Sequence, residues 1–479
     1  MRFREIPPAR AGWDIGPRGA FPLCGMMAGM KKLAIIGGGA AGLAAAVAAA
    51  SELRRLGLCV RPSTQGGAAS PGADGVEVVV HEADDRVGRS ILATGNGRCN
   101  FSNARVDAAV YRNAPFVGEV LEALEALAAS ELGCVRAPGS DAPADPVHAF
   151  FADLGLMWRE EGEGRLYPLA NKATSVLDVL RAAAADAGAR ESCGRAAVCV
   201  DEPSREGERF HVRFADGAVE HADAVVVAVG GRAAGQLELP CPLACEKGRP
   251  VLGPLRTDAA LVRQLNNIRV RCDVSLVDAE GGLKARERGE VLFRDYGVSG
   301  IAVFNLSRFA DPGDELRIDL LPQVPFDKAE GFLRARRKRL ALAGRPCSGE
   351  AVLRGALLPA VAHAALKEAG LRPDAPFGKA DAPALARVLK GMALSVHGIG
   401  DARQCQVMRG GFETGAFDAR TLEAFAAPGL FAAGEALDVD APCGGYNLHW
   451  AWASGILAGR AAASRLAAGG ARAKKAARA

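Results

Sequence analysis

The spacing of apolar and polar positions divides the chain into two regimes. Leu33–Ile36 is a short apolar run, followed at once by Gly37-Gly38-Gly39-Ala40-Ala41-Gly42 and then by Leu43–Leu56, Ala-rich with helical spacing. Val76–His81, Ala224–Val229 and Gly429–Ala432 are further apolar runs. Largely apolar runs of this length read as strands buried on both faces, the pattern of parallel sheets with helical crossovers. From about residue 248 the pattern changes. Val270–Leu276, Gly289–Phe293 and Leu316–Leu320 read as short strands in a charged background, and Phe326–Gly370 is Ala/Leu/Arg-rich with helical spacing. Helices are also expected at Ala173–Ala187 and Leu448–Leu466.

The glycine motif narrows this α/β reading. Gly37-x-Gly39-x-x-Gly42 stands between a strand and a helix, the context in which such a motif cradles a pyrophosphate. Gly37 permits the tight turn, Gly39 lets backbone approach the phosphates, and Gly42 lets the helix lie close to the strand. An acid should end the second strand, where its carboxylate accepts the ribose hydroxyls of an adenosine. Glu82 does so, though it stands 40 residues after Gly42 where about 20 is usual. The Ser/Gly/Pro-rich stretch Arg61–Gly75 accounts for the excess as an insertion. Asp85-Arg86-Val87-Gly88-Arg89 then follows, a sequel more frequent in FAD folds than in NAD folds.

The expected architecture is therefore an FAD-binding Rossmann-like domain with an inserted β-rich domain carrying a helical subdomain. Residues 30–247 form the first part of the FAD domain. Residues 248–400 form the insert, which holds the substrate and is helical over about 326–390. Residues 401–468 return to the FAD domain. Residues 1–29, Pro/Gly/Arg-rich and aperiodic, are expected to be a disordered extension, and 469–479 a basic tail. No second strand–GxGxxG–helix unit is present, so a nicotinamide cofactor would dock transiently at the substrate face.

Charge and cysteine content exclude several classes. Arg472, Lys474, Lys475 and Arg478 account for the whole net charge of +4, so no basic face for nucleic acid is implied. The twelve cysteines show no CxxC spacing. This predicts reduced thiols, no metal site and a cytoplasmic protein. The run Leu33–Ala50 imitates a signal peptide or membrane span in length only. Its Ala/Gly content carries little transfer energy, and three glycines interrupt it. No membrane association is expected, and the oligomeric state is left open.

Three further segments carry the chemistry: Gly95-Asn-Gly-Arg-Cys-Asn-Phe-Ser-Asn103, Tyr296-Gly-Val-Ser-Gly300, and Gly429–Gly455 with its Gly434-Glu435 and Gly444-Gly445-Tyr446-Asn447. They closely resemble the aminoacetone-oxidase-type, or bile-acid-inducible-operon-type, NAD(P)/FAD-dependent oxidoreductases, over nearly the whole chain from Lys31 to about Ala468. The resemblance implies an enzyme that holds FAD through Gly37, Gly39, Ala41, Gly42, Glu82, Arg89, Asn96, Gly97, Arg98, Cys99, Asn100, Gly434, Glu435, Asp438, Gly445, Tyr446 and Asn447. Tyr446, Cys99, Tyr296 and Ser299 are the candidates for contact with the reacting atoms. Tyr296–Gly300 is expected to be a compact turn facing the ring. A small organic substrate is implied, with NAD(P)H as electron donor. An amine oxidase using dioxygen, and a non-catalytic redox-sensing flavin module, remain alternatives. Arg294-Asp295 and Ile301, where relatives usually carry Thr-His and Pro, and Val407–Phe412 depart from the usual pattern, so substrate identity stays open.

Overall fold

A computed structural model describes residues 30–61, 75–132, 145–202, 209–239 and 243–476. The expected extension at 1–29, most of the Arg61–Gly75 insertion and the tail beyond 476 lie outside these residues. The central sheet is parallel. Its order is Cys59–Val60, Gly75–His81, Lys31–Ile36, Ala224–Val227, Leu430–Ala432, and Arg190–Ser192 pairs with the far end of Gly75–His81. Leu33, Ala34, Ile35, Val79, Val225 and Val226 are wholly buried, as strands covered on both faces must be.

Two helices cover one another beside this sheet. Ala40–Arg55 follows the glycine loop, and Tyr446–Ala476 is the C-terminal helix, two residues earlier and ten later than the sequence pattern suggests. They meet through glycine. A Cβ on Gly455 would collide with the main-chain carbonyl of Ala41, and one on Gly459 with that of Ala45. Arg460 and Ser464 continue the same face and reach the buried carboxylate of Glu52, with Ser464 Oγ 3.2 Å from Oε1. Small residues four apart on one helix face allow main chain to approach main chain.

The region from Leu255 to Ile399 is built differently. Leu255–Thr257, Gly297–Ser299, Leu283–Arg294, Arg269–Val277, Glu315–Asp319 and Met392–Ile399 close into a six-stranded antiparallel barrel. Helices Ala329–Leu342, Gly349–Leu353, Pro359–Glu368 and Ala382–Lys390 share its core. The sequence pattern gives three of these strands. It misses Leu255–Thr257, Gly297–Ser299 and Met392–Ile399, and closure depends on those three. Tyr296–Gly300 is correspondingly not a free turn. Arg294 pairs with Gly297 across a two-residue hairpin loop, Asp295-Tyr296, and Gly297–Ser299 is a barrel strand. A two-stranded link, Cys245–Val251 with Val407–Phe412, leads into and out of the barrel.

The Gly455 contact is with main chain, which cannot rotate away. Gly455→Ala is expected to lower unfolding free energy by about 1–3 kcal/mol through overpacking. Gly331→Ala, in a helix with open space around the position, is expected to be neutral or to stabilise by up to about 1 kcal/mol. Urea unfolding of the two variants beside the parent checks the contrast.

Candidate functional site

The glycine loop is held from both sides of the sheet. Gly37 takes φ +106°, and a Cβ there would run into the carbonyl of Ala228. A Cβ on Gly42 would strike the carbonyl of Gly37. Both glycines are thus required by the protein itself. Gly39 is different. An added Cβ would meet only Ser90 Oγ, at 3.2 Å, a tight contact that a small movement of the serine side chain relieves, so no main chain blocks this position. Gly39 also caps helix Ala40–Arg55 without a side-chain hydrogen bond. The first-turn N–H groups of that helix are left for an anion.

Glu82 lies on this loop. Its Oε2 accepts from Gly38 N–H at 2.8 Å and its Oε1 from Asp84 N–H at 2.8 Å. Gly88 N–H donates to Gly38 O at 2.8 Å, which starts the short helix Arg89–Ala93 at the same place and brings Ser90, unmarked in the sequence reading, to Gly39. Arg89 turns outward to Asp84 and Asp85.

The loop from Gly95 to Asn103 forms the second wall. Gly95, Asn96, Gly97 and Cys99 all have positive φ, at 55°, 55°, 79° and 58°. Left-handed conformations at non-glycine residues cost about 1–3 kcal/mol each and cluster at ligand clamps. Arg98 is committed to protein partners: Glu161, Asn171 Oδ1 at 2.6 Å, and the face of Tyr167. The Cys99 side chain is wholly buried, and burial pushes its thiol up to about 12. It has the surroundings of a packing residue rather than those of a reactive thiol. Asn100 aims a buried Oδ1 with no hydrogen-bond partner toward Gly445, 3.0 Å from where a Cβ on that glycine would sit.

The C-terminal helix supplies the third wall. Trp450 Nε1 donates to Gly434 O at 3.0 Å, and Gly434 N–H donates to Ser454 Oγ at 2.9 Å. A Cβ on Gly434 would lie 2.8 Å from that of Ala41. Trp452 Nε1 donates to Phe101 O at 2.8 Å. The two indoles thus tie the helix to the Gly434 turn and to the Gly95–Asn103 loop. Asn447 is spent locally, exchanging hydrogen bonds of 2.9 Å with the backbone of Ala441. Tyr446 is half-buried beside Gly444, and its carbonyl accepts from Tyr111 OH at 2.9 Å.

Two acids behind this wall differ in their partners. Asp438 binds Arg112 Nε at 2.8 Å and the Gly410 N–H at 3.1 Å. Glu435 faces the backbone of Met408 and Gly231, and burial, only partly offset by those N–H groups, pushes its carboxyl up to about 7. Asp440, absent from the sequence reading, is wholly buried between two arginines: Arg308 Nε at 2.6 Å and Arg409 Nε at 2.8 Å. Burial would raise its carboxyl, but the Arg409 hydrogen bond and both positive charges hold it low. Arg308 belongs to the barrel region and Arg409 to the link, so this triad ties them to the segment before the C-terminal helix. Asn305 adds a second tie, accepting from Cys443 N–H at 2.9 Å. The helix after Gly300 therefore reaches the site, whereas the Tyr296 ring lies against Gly400.

Three features fit a dinucleotide flavin: the open cradle at Gly39, the carboxylate on the glycine loop, and the unpartnered Asn100 amide oxygen at the start of the C-terminal helix. The chain matches the HI0933-like protein Rossmann domain over residues 62–461. It belongs to the HI0933-like FAD-binding Rossmann family. As a member, it is an FAD-dependent oxidoreductase. It is 31% identical to a 3-dehydro-bile acid delta(4,6)-reductase of Clostridium scindens, over 91% of this chain and 100% of that protein. It is 27% identical to a ribosomal RNA dihydrouridine synthase of Escherichia coli, over 80% of this chain and 91% of that one. A 3-ketosteroid dehydrogenase structure from Rhodococcus jostii covers 92% of this chain and 97% of its own at 16% identity, with a TM-score of 0.39. At that score it adds nothing to the assignment. Among the described residues, no helix is long and apolar enough to cross a membrane, and the nine described cysteines are all free.

Two measurements follow. Gly39→Val is expected to fold, with an unchanged circular dichroism spectrum, and to be purified without flavin. A fully loaded variant would remove the phosphate assignment. Glu435 has a folded pKa above its unfolded value, so the folded state keeps a proton that the unfolded chain has lost. Its contribution to apoprotein stability therefore falls as pH rises from about 4.5 to about 7, by roughly 3 kcal/mol in all. Urea titrations at pH 5 and pH 8 should show that Glu435→Gln is relatively more stable at the higher pH.

Proposed function

We propose that this flavoenzyme saturates a carbon–carbon double bond conjugated to a carbonyl in a small organic substrate, with NAD(P)H as electron donor. The observation that carries this reading is the full-length match to the Clostridium scindens reductase. At 91% of this chain, that match must include most of the barrel region as well as the sheet. The Escherichia coli relative's name describes the same change in another molecule, because dihydrouridine is uridine with its carbonyl-conjugated ring double bond saturated.

When bound, FAD supplies the hydride. The chain's own work is to hold the ring, to favour the charge that gathers on it, and to deliver a proton. In this reading the loop from Asn96 to Asn100 would hold one side of the ring, and the N–H dipoles of the Gly445–Asn447 helix start would favour the negative charge that gathers on it. The barrel region, assigned here as the substrate domain, covers the open face. Hydride addition leaves an enolate that needs an acid. We assign this step to Tyr446, at the helix start. Burial raises the pKa of its hydroxyl, so it stays protonated at neutral pH and can donate. Ser299, on the barrel hairpin, is kept as a positioning residue, whereas the Tyr296 ring packs against Gly400.

A second reading, an RNA uridine as the group reduced, is favoured by the Escherichia coli relative and by the run of Arg334 and Arg336–Arg339 on helix Ala329–Leu342. Arg336 and Arg337 are engaged with backbone carbonyls of Val352, Arg354 and Phe377, and Arg334 pairs with Glu330, so three of the five basic side chains of this run already have protein partners.

Anaerobic mixing with NADH or NADPH should bleach the flavin, and a 3-oxo-4-ene steroid or cyclohexenone should restore its colour. Tyr446→Phe should keep the bleaching step and slow the second by about 10²–10⁴-fold. Reoxidation by uridine-bearing RNA alone would select the second reading. Reoxidation by dioxygen alone would contradict both.

A further inference from the structure

A second cluster of chemically capable side chains lies on the other side of Ser102 from the glycine of the helix start. Asp145 caps helix Pro146–Asp153, its Oδ1 accepting from Val147 N–H at 2.9 Å and His148 N–H at 3.1 Å. His148 stands in the first turn of that helix, and His449 in the first turn of the C-terminal helix. One hydroxyl serves both rings: Ser102 Oγ is 2.7 Å from His148 Nε2 and 2.9 Å from His449 Nδ1.

That leaves the other nitrogen of each ring turned toward the same carboxylate. His148 Nδ1 is 3.9 Å from Asp145 Oδ1, and His449 Nε2 is 3.6 Å from Asp145 Oδ2. His449 is 0% exposed, and its Nε2 has no hydrogen-bond partner. It and Asp145 line a small cavity of about 50 Å³, together with Glu125. The three ligand atoms lie within 4.8 Å of one another.

The hydrogen-bond chemistry says what such a cavity suits. A serine oxygen has two lone pairs, so one tautomer of the pair lets Ser102 Oγ accept both ring N–H groups. In that tautomer, both nitrogens facing Asp145 carry free lone pairs. A neutral imidazole whose far N–H is held by an oxygen is the form that ligates metals. Two imidazoles and a carboxylate suit a divalent ion of the zinc type.

We propose that Asp145, His148 and His449 form a zinc-type metal site, completed by water or Glu125 in the cavity and oriented by Ser102. Ligand atoms around such an ion sit roughly 3.3 Å apart with bonds of about 2.0 Å, so closure asks about 1 Å of side-chain movement into a cavity that has room for it. The ion would bolt helix Pro146–Asp153 to the C-terminal helix one turn behind Gly445. This differs from the expectation of no metal, which rested on cysteine spacing. The ligands here are histidines 301 residues apart in the sequence, with an acid that reads as a helix cap.

The test uses the full-length, untagged, flavin-loaded protein, passed through chelator-free gel filtration and equilibrated with zinc. Elemental analysis should find one zinc per chain, and competition with a chromophoric chelator should give its affinity. Asp145→Asn, which keeps the helix cap, and His148→Gln should each weaken binding at least tenfold while flavin content is unchanged. Cobalt substitution should give tetrahedral ligand-field bands to the red of the flavin absorption. The proposal is overturned if the parent binds no zinc, or if the parent and both variants bind it equally. Should His449→Gln fail to fold, the two partly exposed ligands still decide the matter.

Discussion

The structure depends on how closely two helices can approach. Gly455 and Gly459 lay the C-terminal helix against the main chain of Ala41 and Ala45, near residues that follow the glycine loop by only a few positions. That contact fixes the height of the C-terminal helix over the sheet. Trp450 then finds Gly434, Trp452 finds Phe101, and the start of the helix arrives beside Asn100. A site composed of residues from 37 to 447 is assembled by one packing contact and two indole hydrogen bonds.

The second constraint is electrostatic. Asp440 is buried between Arg308 and Arg409, with no exposure of its own. A buried triad of this kind adds little net stability over an apolar equivalent, but removing one partner strands a charge at a cost of about 3–5 kcal/mol. The triad therefore acts as a register device between the barrel region and the segment entering the C-terminal helix. The Asn305–Cys443 hydrogen bond joins the same two segments.

Four of the six strands of the parallel sheet were legible in the sequence because they are largely apolar runs, whereas Cys59–Val60 and Arg190–Ser192 are too short to show a pattern; the glycine loop was legible because three glycines stand in a strand–helix context. The barrel was only half legible. Gly297–Ser299 and Leu255–Thr257 are three residues each, too short to show a period, and Gly297 and Gly300 made the first look like a turn. The candidate site was legible where main chain does the work, at Gly39 and Gly445. It was obscure where side chains meet from afar. Nothing near Arg308, Asp145 or His148 marks them, since each acts through a partner over 40 residues away, and Ser102, though inside the Gly95–Asn103 motif, has its histidine partners 46 and 347 residues away. Asn447 and Arg98 show the converse: they lie in distinctive motifs, yet their side chains are spent on Ala441 and on Glu161 and Asn171.

The central claim is that one ligand spans walls brought together from the two ends of the chain. Hydrogen exchange of the protein with and without FAD tests it most directly. Amides in Gly37–Leu43, Asn96–Asn103 and Gly444–His449 should gain protection together on FAD binding, while those of barrel strand Arg269–Val277 should not change. Protection confined to one of the three segments, or appearing in the barrel strand instead, would contradict the account.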